Sequence, residues 1–272
     1  GLDYKLADSW ADASTKGQED TFGGRFSILV IDQTADINIH AGAKINRDDT
    51  GNAGNNANGF STGDRDVVID STVINHSVSL GIPGIVDGDD ANKSSVGVSF
   101  GLTVIDNDSK AKVHDGASIF ANTLLVDADS TTLSVSVVKA GSLSSAEKSA
   151  FNGSIVFNIA DNTTLAQIDN GATINVSDSS DDALTVKAAD ESYLVSVAGV
   201  LSFSSGTSIG ASVASNVLTR NTQAVVGNQH NENTHGTLGT IDSSGAAKII
   251  ASNEGFIGSY ALAGSSSAPK KT

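Results

Sequence analysis

The chain contains no cysteine and no methionine among its 272 residues. The absence of cysteine excludes a disulfide framework, a zinc–thiolate site and a cysteine nucleophile. It also suits export through a periplasm, because no disulfide can form there and obstruct passage of the unfolded chain. The missing initiator methionine and the start at Gly1 lead us to expect a processed chain or an excised fragment.

Basic residues are scarce as well. Lys and Arg number 16 against 31 Asp and Glu, which gives a net charge of −15 and a pI near 4.4. Nucleic-acid binding needs clustered Lys and Arg, so nucleic acid is excluded as a partner. No apolar run approaches the ~20 residues that a membrane-spanning helix needs, so membrane insertion is not expected.

Proline and aromatic residues are also scarce, with 2 Pro and 5% aromatic residues. The apolar content therefore comes mainly from Ala, Val, Ile and Leu, which fill a narrow core layer by layer. Glycine is abundant, at 28 residues. Glycine marks turns, and scarce proline leaves the hydrogen bonds of a strand ladder intact.

One phrase recurs four times along the chain. The copies read Ala-Gly42-Ala-Lys-Ile, Asp-Gly116-Ala-Ser-Ile, Asn-Gly171-Ala-Thr-Ile and a degraded copy ending at Gly227, at intervals of 74, 55 and 56 residues. An insertion over 46–66, rich in Gly, Asn and Asp, accounts for most of the longer first interval. A fixed period predicts a stacked array of equivalent units.

The sequence between the glycines consists of short runs that alternate apolar with small polar residues, such as Leu133-Ser-Val-Ser-Val-Val. Period-two alternation predicts strands, and no segment has convincing helical periodicity. Repeated strands without helices predict an all-β, right-handed parallel β-helix, a solenoid with projecting loops. We expect coils of about 18–25 residues, two to three per module, and hence a dozen coils spanning roughly 60 Å.

The domain organisation follows from the period. Residues 1–264 form one continuous β-helix of modules of about 55 residues, and 265–272 form a tail or linker. The predicted modules are 42–115 with the insertion 46–66, then 116–170, 171–226 and a partial copy over 227–264.

The module also resembles a known family. The pattern Gly-Ala-x-Ile, Ser- and Val-rich strands, Gly-Ala-Ser-Val-Ala-Ser-Asn at 210–216 and Thr-x-Ala-x-Val at 222–226 is similar to the β-helical passengers of filamentous haemagglutinin and leukotoxin-type proteins of Gram-negative bacteria. The resemblance covers about 200 residues from Thr34 onward. It implies a secreted or cell-surface protein that is fibrous, and adhesive or structural.

Clusters of acidic residues in loops are the candidate metal sites. Calcium prefers six to eight oxygen ligands from carboxylates and carbonyls. The candidate ligands are Asp48, Asp49, Asp87, Asp89 and Asp90. The alternative is solvated turns, because Asp87-Gly-Asp-Asp has neither the EF-hand order nor the nonapeptide pattern of calcium-binding rolls.

Other motifs have simpler explanations. The segment Gly206-Thr-Ser208-Ile-Gly210 matches the Gly-x-Ser-x-Gly sequence pattern of a nucleophile elbow. That elbow needs a helix after the serine, and a strand is predicted here instead. His40 and His114 hold equivalent positions before the module glycine, which indicates a shared turn. The pair His230 and His235 offers too few ligands for zinc. Acidic pairs suitable for glycoside chemistry lack an obvious partner in the same module.

We therefore expect an extracellular, non-enzymatic β-helical segment that serves as a rigid fibre or spacer on the cell surface. Its partners would be neighbouring copies, adjoining segments of the same fibre, or a host or cell-surface ligand. The loops 46–66, 85–94 and 228–236 are the candidate contact sites. Two alternatives stay open: a self-assembling filament subunit stabilised by calcium, and a carbohydrate-active β-helix enzyme, either a polysaccharide lyase or a hydrolase.

Overall fold

A computed structural model describes residues 2–9, 13–14, 21–46, 65–81, 86–88, 94–144, 149–227 and 239–267. Within these ranges every regular element is a β-strand. The strands are β1 Leu2–Ser9, β2 Ala13–Ser14, β3 Thr21–Ile39, β4 Lys44–Ile45, β5 Val67–Gly81, β6 Val86–Gly88, β7 Ser95–Val113, β8 Ser118–Ala121, β9 Leu124–Ser144, β10 Ala150–Ile168, β11 Thr173–Val176, β12 Leu184–Ser204, β13 Ser208–Val226, β14 Ile241–Ser243 and β15 Ala247–Ser267.

The strands form three sheets whose neighbours are one repeat apart. The first sheet runs β1-β5-β9-β12-β15, with β6 also paired to β9. The second sheet runs β13-β10-β7-β3-β2 and the third β14-β11-β8-β4. All pairings are parallel except the short contact of β2 with β3. The chain is therefore a parallel β-helix, as the repeat predicted.

One turn of this solenoid, which we call a rung, contains all the residues of one module. Equivalent residues of successive rungs are Ser95 and Ala150 in the second sheet, and Leu124 and Leu184 in the first. The expected coil of 18–25 residues was therefore wrong. The structure has about five rungs with a height of roughly 20 Å, whereas strands of 19–21 residues extend for roughly 65 Å at about 3.3 Å per residue. The body is a broad slab.

The coil length was underestimated because each long strand looked like two strands in the sequence. The sequence suggests one strand that ends at Asp129 and another that begins at Thr131, but the break at Ser130 lies inside β9. In a strand, alternate residues face opposite sides. Asp127 and Asp129 face outward, while Ala128 between them and Ser130 after them face inward and are buried.

The repeat glycines mark the turn from the second sheet to the third. The amide of Gly42 donates to the carbonyl of Gly116, and the amide of Gly116 donates to that of Gly171, each at 3.0 Å. Gly42 and Gly116 have φ of +80° and +75°. A side chain is strained at such φ values, so the turns at Gly42 and Gly116 require glycine.

The third sheet holds the two long sheets apart at one end of the slab, which we call the wide end. The expected apolar columns are found there. Large side chains from all three sheets pack into one continuous cluster, whose largest members include Ile119, Ile174, Ile168, Leu124 and Leu184. Burial of such side chains is worth about 1.5–3 kcal/mol each, so this end supplies most of the hydrophobic stabilisation.

At the opposite end, the narrow end, the two long sheets face each other directly and the pattern is inverted. The inward residues are small or polar: Ser99, Gly101 and Thr103 of β7 face Ser134 and Ser136 of β9. Hydroxyl groups bond across the gap, for example Thr103 Oγ1 with Ser136 Oγ at 2.9 Å. The outward residues of the same strand segments are largely Val, Ile, Leu and Phe. We did not expect this reversal, because apolar side chains were assigned to the inside throughout.

The narrow end is too thin for large inward side chains. A Cβ atom added to Gly101 would lie 2.5 Å from Cγ2 of Val138 in the facing sheet. Val138 is fully buried and, because it is β-branched, has few alternative rotamers. The sheets are therefore too close here for large inward side chains. This explains why Ser, Gly, Ala and Thr occupy the inward positions that Leu and Ile occupy at the wide end.

We expect Gly101→Ala to destabilise the chain by about 1–3 kcal/mol, because overpacking forces a shift of Val138 or of the sheets. Gly199→Ala is the matched control: it changes an outward position of β12 where the added Cβ meets nothing closer than 3.6 Å. Urea unfolding followed by circular dichroism measures both. The double variant Gly101→Ala, Val138→Ala should lose less than the sum of the single variants. Additive effects would mean that the two sheets are not in close contact there.

Candidate functional surfaces

The predicted calcium ligands cannot be assigned a geometry. Asp48, Asp49, Asp89 and Asp90 lie outside the described residues. Asp87 falls in β6, of which the backbone alone is described. In the described part of the chain, no group of three or more His, Asp or Glu side chains is arranged to hold a metal ion. Calcium binding by these five residues stays a prediction.

The candidate contact loops are described in part or not at all. The loop 228–236 lies outside the described ranges, and β6 falls within the loop 85–94. The loop 46–66 has described residues at both ends: Asn46 donates its side-chain amide to the carbonyl of Phe120 at 2.9 Å, and Arg65 donates to the Asn46 side chain at 3.3 Å. The chain therefore leaves and returns at one point beside the third sheet.

The base of this loop is further held by Asp66. Its carboxylate accepts hydrogen bonds from Thr123 at 2.7 Å and Asn122 at 3.3 Å. These two bonds are the main reason that the pKa of Asp66 is lower than its ordinary value. These contacts belong to residues outside the 47–64 segment, so they are available when that segment is replaced.

The outer face of the first sheet carries a charged groove of about 330 Å³. Its lining residues are Thr72, Asp129, Ser130, Thr131, Lys187, Ala189, Asp190, Glu191, Ser252 and Glu254. Lys187 lies beside two carboxylates of the preceding rung, with Nζ 3.2 Å from Asp127 and 3.0 Å from Asp129. The ammonium group therefore joins β12 to β9 through charge.

The pKa values within this groove reflect partial burial and mutual interaction. Burial, followed by repulsion from Asp129, raises the pKa of Asp127, although Lys187 opposes both. Burial alone would lower the pKa of Lys187, but hydrogen bonds and attraction from Asp129 and Asp127 outweigh it, and the pKa is raised. Lys187 therefore stays protonated and neutralises a pair of carboxylates that would otherwise repel each other.

Beneath this face lies a buried carboxylate, Asp190, whose residue is 2% exposed. Asn162 donates to it at 2.7 Å, and Ser192 donates to its other oxygen, also at 2.7 Å. Arg220 approaches to 3.5 Å and donates to the carbonyl of Glu254 at 2.8 Å. A buried charge is tolerated when it is paired and hydrogen-bonded, so these contacts account for Asp190 as part of the interior.

The Asp190 contacts continue as a ladder through the rungs. The side chain of Asn107 donates to that of Asn162 one rung away at 3.2 Å and to Thr132 of the facing sheet at 2.8 Å. Asn75 donates to Asn107 at 3.3 Å. This network crosses from one long sheet to the other at mid-slab, between the apolar cluster and the narrow end, and sequence reasoning did not identify it.

Two motifs from the sequence have structural positions. Ser208 is the first residue of β13, and a strand follows it as predicted, so the geometry of a nucleophile elbow is not formed there. The rings of His40 and His114 stack at 5.5 Å with an interplanar angle of 4°, which confirms their equivalent turn positions. His230 and His235 lie outside the described residues. The carbohydrate-active alternative stays a prediction, and the groove over Lys187 is where such activity would be tested.

A second surface feature was not predicted: the outer face of the second sheet is apolar over the narrow end. Phe22 and Phe26 are each 57% exposed and Val30 is 67% exposed. Phe26 and Phe100 stack across rungs with their ring centroids 4.9 Å apart. The sequence held a usable signal. Asp161 is charged and must face water. Phe157 lies four residues before it on β10, and residues an even number apart on a strand face the same side, so Phe157 faces outward too.

Comparisons with known proteins identify no relative: no family model, no curated protein and no solved structure matches this chain. In the described ranges, no helix is long and apolar enough to cross a membrane.

We expect replacement of residues 47–64 by a short glycine linker to leave the β-type circular dichroism spectrum unchanged. The free energy of unfolding should change by less than about 1 kcal/mol, because loop length contributes weakly to stability and the anchoring contacts lie outside the segment. Urea unfolding measures the change. Asp66→Ala in the full chain is the comparison, since it removes the anchoring bonds and should cost more. A large loss on deletion would contradict a projecting loop.

We expect Lys187→Met to destabilise the chain by about 1 kcal/mol at neutral pH, since a third of this side chain is exposed and solvent screens the pair. The variant removes the cation that Asp127 and Asp129 share, which raises the pKa of Asp127 further in the folded state. A carboxylate with a raised folded-state pKa loses stability as pH rises through that pKa. The deficit against the parent should therefore be largest at neutral pH and shrink in acid.

Urea unfolding of Lys187→Met and of its parent at several pH values provides this test. Lys139→Met, which changes an outward lysine of β9 over the narrow end, is the control. A deficit of Lys187→Met that does not vary with pH would show that lost packing, and not charge, accounts for the effect.

Proposed function

We propose that this chain is a structural, non-enzymatic segment of an extracellular β-solenoid, in which further rungs add to the face formed by β13, β14 and β15. The loops 46–66, 85–94 and 228–236 would supply adhesive contacts from the edges of the slab. We call the rung formed by β13, β14 and β15 the open rung. The observation that carries the proposal is that its inward-facing apolar side chains are exposed.

Inward-facing side chains of the open rung continue the buried columns of the rungs before it. Val186 pairs with Ile249, Leu194 with Ile257, and Ile174 of the third sheet with Ile241. The first member of each pair is fully buried, whereas the second is 55%, 47% and 40% exposed, respectively. The three isoleucines therefore have the identity and direction of core residues and lack a covering layer in the described part of the chain.

The backbone of the open rung supports the same proposal. In the described residues β15 pairs with β12 alone, over 21 residues from Ala247 to Ser267. A long unpaired edge is a template for another strand. Burial of the three isoleucines by an added rung would contribute about 1.5–3 kcal/mol each, beyond the backbone bonds of the new strand.

The shape determines what kind of structural element this is. Each rung of about 55–60 residues adds roughly 4.8 Å along the stack. A stack of such rungs is therefore short for the number of residues it contains. It gives instead wide, flat faces that in-register pairing holds rigid. We therefore favour a broad solenoid wall over a slender spacer. The resemblance to secreted haemagglutinin and leukotoxin-type passengers supports a location outside the cell.

The open rung also favours a second candidate, a self-assembling filament in which the added rung comes from another copy. The opposite end of the stack weighs against it. There β2 pairs antiparallel with β3 at Gly23 and Gly24 and occupies part of the edge that an incoming β13 would need. Continuation within one solenoid does not meet this obstacle.

Appending one more rung tests the proposal directly. A second copy of residues 205–267, joined after Ser267 in place of 268–272, would supply the next strand of each sheet. We expect the midpoint of urea unfolding to rise, because the stability of a repeat array grows with each interface between neighbours. The circular dichroism signal per residue should stay the same.

The matched control carries the same appended copy with Ile249→Lys and Ile257→Lys in the original rung. It keeps the chain length and should lose the gain, because charge then lies at the new interface. An unchanged midpoint together with a disordered appended segment would contradict an open rung that accepts further rungs. A large shift of the unappended chain toward polymers at high concentration would favour the filament candidate instead.

A further inference from the structure

The outer face of the second sheet carries an apolar surface built from five columns and four rungs, which we call the apolar face. It contains no charged residue. The columns, from the narrow end inward, are Phe22, Val96, Phe151, Ile209; then Gly24, Val98, Gly153, Ala211; then Phe26, Phe100, Ile155, Val213; then Ile28, Leu102, Phe157, Ser215; and Val30, Val104, Ile159, Val217.

The area of this face is large for a surface left in water. Columns about 6.7 Å apart and rungs about 4.8 Å apart give roughly 600 Å², the upper limit of what monomeric proteins expose as one patch. Two such faces in contact would bury roughly 1,200 Å² in total, which is enough for a specific protein–protein interface. Its flatness suits the packing of one sheet on another at about 10 Å.

A ladder of aspartates limits how two such faces can meet. The next column beyond Val30 is Asp32, Asp106 and Asp161, in register on adjacent rungs. Partial burial, followed by repulsion from Asp108, Asp32 and Asp161, raises the pKa of Asp106. A two-fold axis along the strands would place one ladder over the other and add repulsion. A two-fold axis along the stack reverses the strands and moves the ladders to opposite ends.

The columns fit one another in this second arrangement. The first column meets the fifth, the second meets the fourth, and the third meets itself. The second column is the low one, with Gly24 and Gly153, and open space surrounds the position of an added Cβ at Gly153. In the fourth column, which would lie over it, Ile28 faces Gly24 and Phe157 faces Gly153 of the second copy. Large side chains therefore face a depression, as interdigitating sheets require.

We propose that the apolar face is a homodimer interface, on which a second copy of this chain packs face to face with its strands antiparallel and its rungs stacked in the same direction. The aspartate ladders make an anionic lipid surface a poor partner, because like charges repel. The interface is lateral and leaves the backbone edge and the inward side chains of the open rung free, so it does not depend on the proposed addition of rungs.

A charge-swap experiment at the third column tests the arrangement. In the proposed dimer, Ile155 faces Ile155 of the second copy, so Ile155→Lys places two cations together and Ile155→Asp two anions. Sedimentation equilibrium should show a dimer for the unaltered chain. Each variant alone should dimerise about 100-fold more weakly, because like charges across an interface cost several kcal/mol. A mixture of the two variants should restore the dimer.

Three controls complete the experiment. Thr163→Lys changes the same strand and face beyond the aspartate ladder, and it should leave dimerisation unchanged. Phe26→Lys and Phe26→Asp form a second pair in the third column, in case the Ile155 variants fail to fold by circular dichroism. Ile249→Lys, on the open rung, should also leave the lateral dimer intact.

Several outcomes would overturn the proposal. These are a monomer throughout the micromolar range, dimers that survive Ile155→Lys, dimers that Ile249→Lys abolishes, and failure of the mixture to recover. Binding of the monomer to neutral phosphatidylcholine vesicles, without self-association, would assign the apolar face to lipid and would likewise overturn the homodimer.

Discussion

In-register parallel pairing of equivalent strands is the constraint on which the rest of this structure depends. It places each side chain directly beside its counterpart one rung away. Residues at equivalent positions therefore form columns, and similar side chains in a column interact with one another. The Asn107 and Asn162 ladder, the stacked rings of Phe26 and Phe100, and the row of Asp106 and Asp161 all arise in this way. Favourable interactions accumulate along a column, and so does repulsion.

The second constraint is the position of the third sheet. Where it separates the two long sheets, there is space for Ile119 and Ile174, and the interior is apolar. Where the long sheets meet directly, Gly101 and Val138 leave no space, and small hydroxyl side chains bond across the gap. Since the strands run through both ends, one continuous strand has an apolar inner face at the wide end and an apolar outer face at the narrow end.

These two constraints give the slab two different kinds of exposed apolar surface. The isoleucines of the open rung face inward at the uncovered end of the stack and continue the core, whereas the apolar face is the outer surface of the second sheet. The proposed rung addition and the proposed lateral dimer therefore act along perpendicular directions. Rung addition uses the backbone edge and the inward side chains of the open rung, whereas the dimer uses outward side chains of the second sheet. A wall that grows along its stack and pairs across its face would be broad and rigid, which is a structural role that needs no catalytic group.

The sequence by itself determined the all-strand class and the parallel stacking of repeated units, because the period of the glycine phrase and the period-two alternation can be recognised without knowledge of contacts. It determined also that Gly116 marks a turn and that His40 and His114 are equivalent. Tertiary structure alone decided that one module is a single rung, since Asp129 is typical of a strand end until Ala128 and Ser130, on either side of it, are seen to be buried inside β9. It alone decided which side of each strand faces inward at the narrow end, because that depends on the distance between two sheets whose facing residues are far apart along the chain.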